Sequence, residues 1–344
     1  RAASPAAAAT EVAEPGAAGT AGKASAPGVA RVPVRPVCGF IGAGNYASRV
    51  LIPAFKAAGA GLGTIVTSGG VSGVIHGRSA GFEVASTDLD AMLADPAINT
   101  VAIVTRHNTH GPFVVKALAA GKHVFVEKPL CLTLEELAAI EAVAGEAAPL
   151  LMVGFNRRFA PQVQKMKALL ATVAEPKSFI MTMNAGAIPP NHWTQDLAVG
   201  GGRIIGEACH YLDLMRFLAG SPIVSVQARC LGAAPGVAVT EDKAALLLGF
   251  ADGSFGTIHY LANGAASFPK ERIEVFCAGR VLQLDNFRKL RAFGWPGFRG
   301  MNLWRQDKGQ NACAAAFVAA VASGKPAPIP AEELFEVARV TIEA

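Results

Sequence analysis

One short turn, Gly42-Ala43-Gly44-Asn45-Tyr46-Ala47, constrains this chain more than any other stretch. It comes after an apolar run, Val37–Ile41, that reads as a strand, and it leads into helical spacing over residues 48–58. Strand, glycine turn and helix in that order form the setting in which a G-x-G-x-x-(G/A) turn cradles a pyrophosphate. Gly42 permits the tight turn, Gly44 lets backbone N–H groups approach an anion, and Ala47 lets the helix lie close on the sheet. The helix N-terminus adds a partial positive charge. Gly42, Gly44, Asn45, Tyr46 and Ala47 are therefore candidate dinucleotide-binding residues.

The chain around and beyond this turn has the grammar of a doubly wound sheet. Apolar strand-like runs recur at 37–41, 64–67, 100–105, 123–126 and 150–155, separated by helical runs at 48–58, 89–93, 112–120 and 134–144. Thr133 with Glu136 three residues on is a capping box for the last of these. Such alternation predicts an α/β Rossmann unit, a parallel sheet with right-handed crossovers, as a dinucleotide-binding domain over 37–155. Beyond it, helices at 161–171 and 203–218 are accompanied by about six strands. Those at 243–250 and 254–260 flank an Ala-Asp-Gly turn, and those at 272–277 and 281–284 flank Ala-Gly-Arg. Residues 156–344 thus read as an α+β domain with a largely antiparallel sheet, one face open, suited to flooring a substrate cleft. Residues 1–36, mostly Ala, Pro, Gly, Ser, Thr and Glu, bury too little to fold and read as a disordered linker within a longer polypeptide.

The 344 residues, 51% hydrophobic, suffice for two cores, yet no stretch of about 18 strongly apolar residues predicts a membrane span. The 31 basic and 26 acidic residues leave a net charge of +5, spread along the chain. That speaks against a nucleic-acid stripe and suits an anionic cofactor or substrate. The first 36 residues lack the basic start and apolar core of a secretory signal, and the six cysteines form no C-x-x-C pair. We expect buried reduced thiols, a cytoplasmic location and no metal site.

A second run carries chemistry. The strand over 123–126 delivers Glu127, Lys128 and Pro129 at its carboxyl end, where ligands of open parallel sheets sit. A partly desolvated lysine beside a nicotinamide can handle a proton. On the helix over 203–218, Glu207, His210 and Asp213 fall within one broad face at 100° per residue. Histidine there is a candidate acid/base group, with Glu207 as a helper.

Gly42–Ala47, the 123–129 run with its Glu-Lys-Pro, the Val153-Gly154-Phe155-Asn156-Arg157-Arg158-Phe159 run and Gly200-Gly201-Gly202 before His210 together resemble the Gfo/Idh/MocA family of oxidoreductases. Residues 191–196 and 293–298 resemble one branch, bi-domain oxidoreductases in which this module comes after a zinc-alcohol-dehydrogenase-like domain. The resemblance implies reversible hydride transfer between NAD or NADP and a hydroxyl-bearing carbon of a sugar, sugar acid or sugar nucleotide. Lys128 and His210 would manage the hydroxyl proton, Thr105, His110, Glu127 and Lys128 would line the cofactor, and Asn156, Arg157, Trp193 and Asp213 would face substrate. Arg157, Lys270 and Arg272 favour an acidic substrate.

Two departures stand out. The family often carries aspartate four residues before the histidine, where this chain has Gly206. The second strand ends in Thr67-Ser68-Gly69-Gly70, without the acid that grips the ribose 2′-hydroxyl of NAD; Ser68, helped by Arg78, would accept a 2′-phosphate, which leaves NAD and NADP both open. Competing readings are redox-assisted glycoside cleavage with tightly held NAD and a non-catalytic dinucleotide sensor. The open sheet face is expected to meet a second copy of the chain or an upstream domain.

Overall fold

A computed structural model describes residues 32–145 and 149–344. Most of the linker expected over 1–36 therefore lies outside the described residues. The first sheet has six parallel strands, β1 (Val37–Ile41), β2 (Gly61–Val66), β3 (Val84–Ser86), β4 (Thr100–Ile103), β5 (His123–Val126) and β6 (Leu151–Val153). Their spatial order, β3-β2-β1-β4-β5-β6, is that of a doubly wound dinucleotide fold. Apart from the edge strand β3, its strands are almost wholly buried because helices cover both faces. These are α1 (Ile52–Ala57), α2 (Val71–Ala80), α3 (Leu89–Ala94), α4 (His110–Ala119) and α5 (Leu134–Val143). The strand order reverses between β1 and β4, so a crevice opens at their carboxyl ends.

After α6 (Pro161–Leu170) comes the first strand of a second, eight-stranded sheet: β7 (Ser178–Asn184), β8 (Ile223–Cys230), β9 (Lys243–Phe250), β10 (Phe255–Leu261), β11 (Glu271–Cys277), β12 (Arg280–Asp285), β13 (Lys289–Phe293) and β14 (Gly300–Asn302). Every pairing is antiparallel except β7 with β10. Period-two alternation sends Phe179, Met181, Leu246, Ile258 and Val275 into the core beneath α7 (Cys209–Ala219). Ile180, Leu247, Phe255, Phe276 and Phe293 stand exposed on the other face. The chain then returns to the first sheet. On α8 (Gln310–Ser323), Phe317 meets Phe55 of α1 and Phe125 of β5 at ring-centroid distances of 6.2 and 5.6 Å. The final helix, α9 (Ala331–Glu343), lies against α5 and α7, with Arg339 ion-paired to Glu141 at 2.6 Å.

Several local expectations change. The helices expected over 48–58 and 203–218 each begin with a π-helical turn, Ala47–Leu51 and Ile204–Ala208. The second sheet has eight strands rather than six because β13 and β14 are short and half-exposed. Cys230 is exposed on the edge strand β8, while the other five cysteines are buried, and all six are free thiols. Among the described residues no helix is long and apolar enough to cross a membrane, and no group of three His, Cys, Asp or Glu side chains is placed to hold a metal ion.

Candidate active site

The crevice at the strand ends widens into a cavity of about 730 Å³. At one end is the glycine turn. Gly42 has φ +101°, and a Cβ there would lie 2.3 Å from the Val104 carbonyl oxygen, so any other residue would break the contact between β1 and β4. Its N–H donates to Val66 across the sheet at 2.8 Å. A Cβ on Gly44 would meet nothing within 4 Å, because this backbone faces the cavity itself. Asn45, Tyr46 and Ala47 complete that wall. The fit to a dinucleotide rests on this bare backbone at the mouth of a parallel-sheet crevice. Ser68 stands exposed in the turn after β2 and is not part of the wall. Arg78 lies in the last turn of α2 and does not border the cavity.

The ends of β4 and β5 supply the middle. Thr105 lines the cavity and its hydroxyl meets that of Thr109 at 2.6 Å. His110, wholly buried, has Nδ1 2.7 Å from the Pro129 carbonyl oxygen and Nε2 3.3 Å from that of Thr105. It braces two strand ends against each other, and burial lowers its pKa to about 4. Glu127 is buried beside the Tyr46 hydroxyl; burial pushes its carboxyl up to about 7 against the pull of Lys128. Lys128 reaches across to donate to the Gly206 carbonyl at 2.7 Å.

Crowding by His107 accounts for the glycine where the family often carries aspartate. A Cβ on Gly206 would lie 2.9 Å from Cε1 of His107. His107 fills the space a side chain at 206 would need, with Nδ1 2.7 Å from the Gly200 carbonyl oxygen and its ring edge-on to Trp193 at 4.8 Å. Since a carbonyl only accepts, Nδ1 carries the proton, and burial depresses the imidazole to about 3. Lys128 is thus held by a neutral carbonyl rather than by a carboxylate.

From the helix beyond, only His210 enters the cavity. Its Nδ1 is buried without a hydrogen-bond partner. Burial, together with the fields of Arg157, Lys128 and Lys308, holds its pKa well below the ordinary value. Glu207 is not in the main cavity. It borders an adjoining recess of about 150 Å³ that shares Lys128, Arg157 and His210, and its carboxylate is taken by Arg203, at 3.2 and 3.3 Å, and by the Tyr260 hydroxyl at 2.6 Å. Despite burial, Tyr260 and Arg203 keep it below the usual carboxylate range. Asp213 faces no substrate space at all. The face drawn from Glu207 to Asp213 is some 120° wide, and the cavity takes only the part carrying His210. Asp213 turns inward to Arg158, at 2.5 and 3.1 Å, with its side chain 1% exposed.

Asn156, Arg157 and Trp193 all line the cavity. Asn156 uses its amide to donate to the Lys308 carbonyl at 2.7 Å. Arg157 donates through Nε and Nη2 to Glu271 at 3.2 and 2.7 Å. Four polar lining residues escape a reading of the sequence: Arg106, His107, Lys308 and Gln310. Arg106, which lies over Trp193, and His107 sit inside the 105–110 run that already carried signal. Lys308 and Gln310 come from an irregular loop and the start of an alanine-rich helix, where no spacing points to them.

Two family descriptions match consecutive parts of the chain. Residues 37–155 match the GFO/IDH/MocA oxidoreductase family, NAD-binding Rossmann fold, and residues 163–282 match the GFO/IDH/MocA C-terminal domain. The chain is 30% identical over 214 residues to a myo-inositol 2-dehydrogenase of Thermotoga maritima, covering 61% of this chain and 63% of that protein. It is 38% identical over 154 residues to scyllo-inositol 2-dehydrogenase (NAD(+)) of Bacillus subtilis, covering 43% of each. The matches therefore span less than two thirds of these curated relatives. Among solved structures, an oxidoreductase domain protein from Kribbella flavida superposes with a TM-score of 0.80 at 23% identity, over 90% of this chain and 96% of that one. Levoglucosan dehydrogenase in complex with NADH and levoglucosan gives 0.78 at 22% identity, over 89% and 95%. At such identities the likeness is one of fold.

Proposed function

The chain belongs to the GFO/IDH/MocA family of oxidoreductases, and from that premise we propose that it moves a hydride between NAD(P) and a hydroxyl-bearing carbon of a sugar-type substrate. The observation that carries this reading is the shared cavity: one continuous wall joins the bare backbone of Gly42–Ala47 to Lys128 and His210. Gly42, Gly44, Asn45, Tyr46, Ala47 and Thr105 would hold the dinucleotide, which supplies the hydride acceptor when bound.

Oxidation of CH–OH to a carbonyl releases one hydride and one proton, and the proton is the task of this chain's own side chains. His210 is neutral at ordinary pH and its ring borders the cavity, so it can accept the hydroxyl proton. Lys128 uses one of its three N–H groups on Gly206 and has two left to stabilise the oxygen as negative charge develops on it. Glu207, committed to Arg203 and Tyr260, does not replace the missing aspartate; it fixes the floor of the recess beside Lys128.

Lys128→Met is expected to lower turnover by about a hundredfold or more while dinucleotide binding survives; an active variant would end the assignment. Gly44→Val should abolish binding, because its side chain projects into the space the pyrophosphate needs. Fluorescence titration of both variants with NADH and NADPH separates the two effects and shows which dinucleotide is preferred. The same proposal includes the bi-domain arrangement, with the exposed sheet face covered by a second copy or by an upstream domain.

A further inference from the structure

Arg157 and Lys308, far apart in the chain, converge on a single carboxylate. Arg157 Nη2 lies 2.7 Å from Glu271 Oε1, and Lys308 Nζ lies 2.6 Å from Oε2. The Tyr211 hydroxyl also donates to Oε1. Glu271 is sealed, its side chain 0% exposed, whereas Arg157 and Lys308 keep 12% and 17% and both border the cavity. Despite burial, the two cations hold the Glu271 carboxyl down at about 2, so it is ionised throughout the ordinary pH range.

Two cations sharing one carboxylate leave a positive charge uncompensated. Lys128 adds a second, because its bonded partner is the neutral Gly206 carbonyl. The nearby carboxylates do not cancel them. Glu207 is already paired with Arg203, and Glu127 is only partly ionised near neutral pH. Half-buried surplus cations are costly unless an anion meets them. The donors are also in hand: Arg157 has five N–H groups and gives two to Glu271, while Lys308 has three and gives one.

We propose that the substrate is an anionic sugar, a hexuronic acid or similar polyol carboxylate, with its carboxylate seated against Arg157 and Lys308. Its hydroxyl-bearing carbon then faces Lys128 and His210, which border the same cavity. A planar carboxylate suits the guanidinium edge better than a neutral hydroxyl does. The assignment rests on the dehydrogenase reading for its chemistry but not for its charge. Lys308 is the residue that decides it, because it carries the surplus charge and comes from a loop outside the glycine turn and the Lys128–Pro129 strand end.

The test is calorimetric titration of the purified chain, with and without saturating NADH, using D-glucuronate, D-galacturonate and D-mannuronate against their uncharged amides. At least one acid is expected to bind about tenfold or more tightly than its amide, with the preference shrinking as salt rises. Lys308→Gln should erase that preference and Lys308→Arg should restore it, which separates lost charge from lost folding. Amides that bind as well as every acid overturn the proposal, even if NADH binds. Acid preference without dinucleotide binding would keep the anion site and overturn the dehydrogenase reading instead.

Discussion

Glu127 shows how one buried side chain couples the site to pH. Burial raises its folded pKa from the ordinary 4.5 to about 7. A carboxyl raised in this way favours the fold fully below about pH 4.5, and that contribution is lost as pH rises through about 7. Glu127→Gln is expected to flatten the dependence of stability on pH across that window, by up to a few kcal/mol. Urea denaturation between pH 4 and 8, taken as about four steps, reads it. An unchanged slope would mean that Glu127 is ionised in the folded protein.

At the scale of elements, the decisive fit is between the turn after β4 and the π-helical turn before α7. His107 and Gly206 occupy a volume that holds one side chain, not two. Gly206→Asp is expected to push His107 off Trp193 and destabilise the protein by about 1–3 kcal/mol, as overpacking does. Combining it with His107→Ala should recover most of that loss, and thermal melting of the two variants decides. The same elements explain what the sequence makes legible. The glycine turn and the Glu-Lys-Pro strand end can be read directly because backbone approach and strand-end position each demand a particular residue at a particular place. Asp213 is misleading for a different reason: periodicity names a face but not how wide a slice of it the cavity takes. Lys308 cannot be read at all, since a loop lysine becomes a site residue only when a distant carboxylate, Glu271, draws it in. The alanine-rich α8 hides likewise, because apolar residues on every side erase the helical period.

For the whole molecule, the return of α8 to the first sheet matters most. Phe317 is 0% exposed and closes a cluster with Phe55 and Phe125. Phe317→Ala should cost about 3–5 kcal/mol, measured by chemical denaturation, and should loosen the dinucleotide-binding half although the residue lies outside it. A variant as stable as the parent would mean that α8 is merely draped over the surface. The arrangement also sets a clock on the ribosome. The strands of the first sheet emerge early, but the aromatic plug that seals their outer wall is encoded nearly two hundred residues later. At ordinary rates of synthesis the nascent sheet waits roughly 10–40 s with Phe55 and Phe125 uncovered. Chaperones that shield exposed aromatics should therefore matter most to this chain during that interval, and early termination should yield an aggregation-prone fragment rather than a working nucleotide-binding domain.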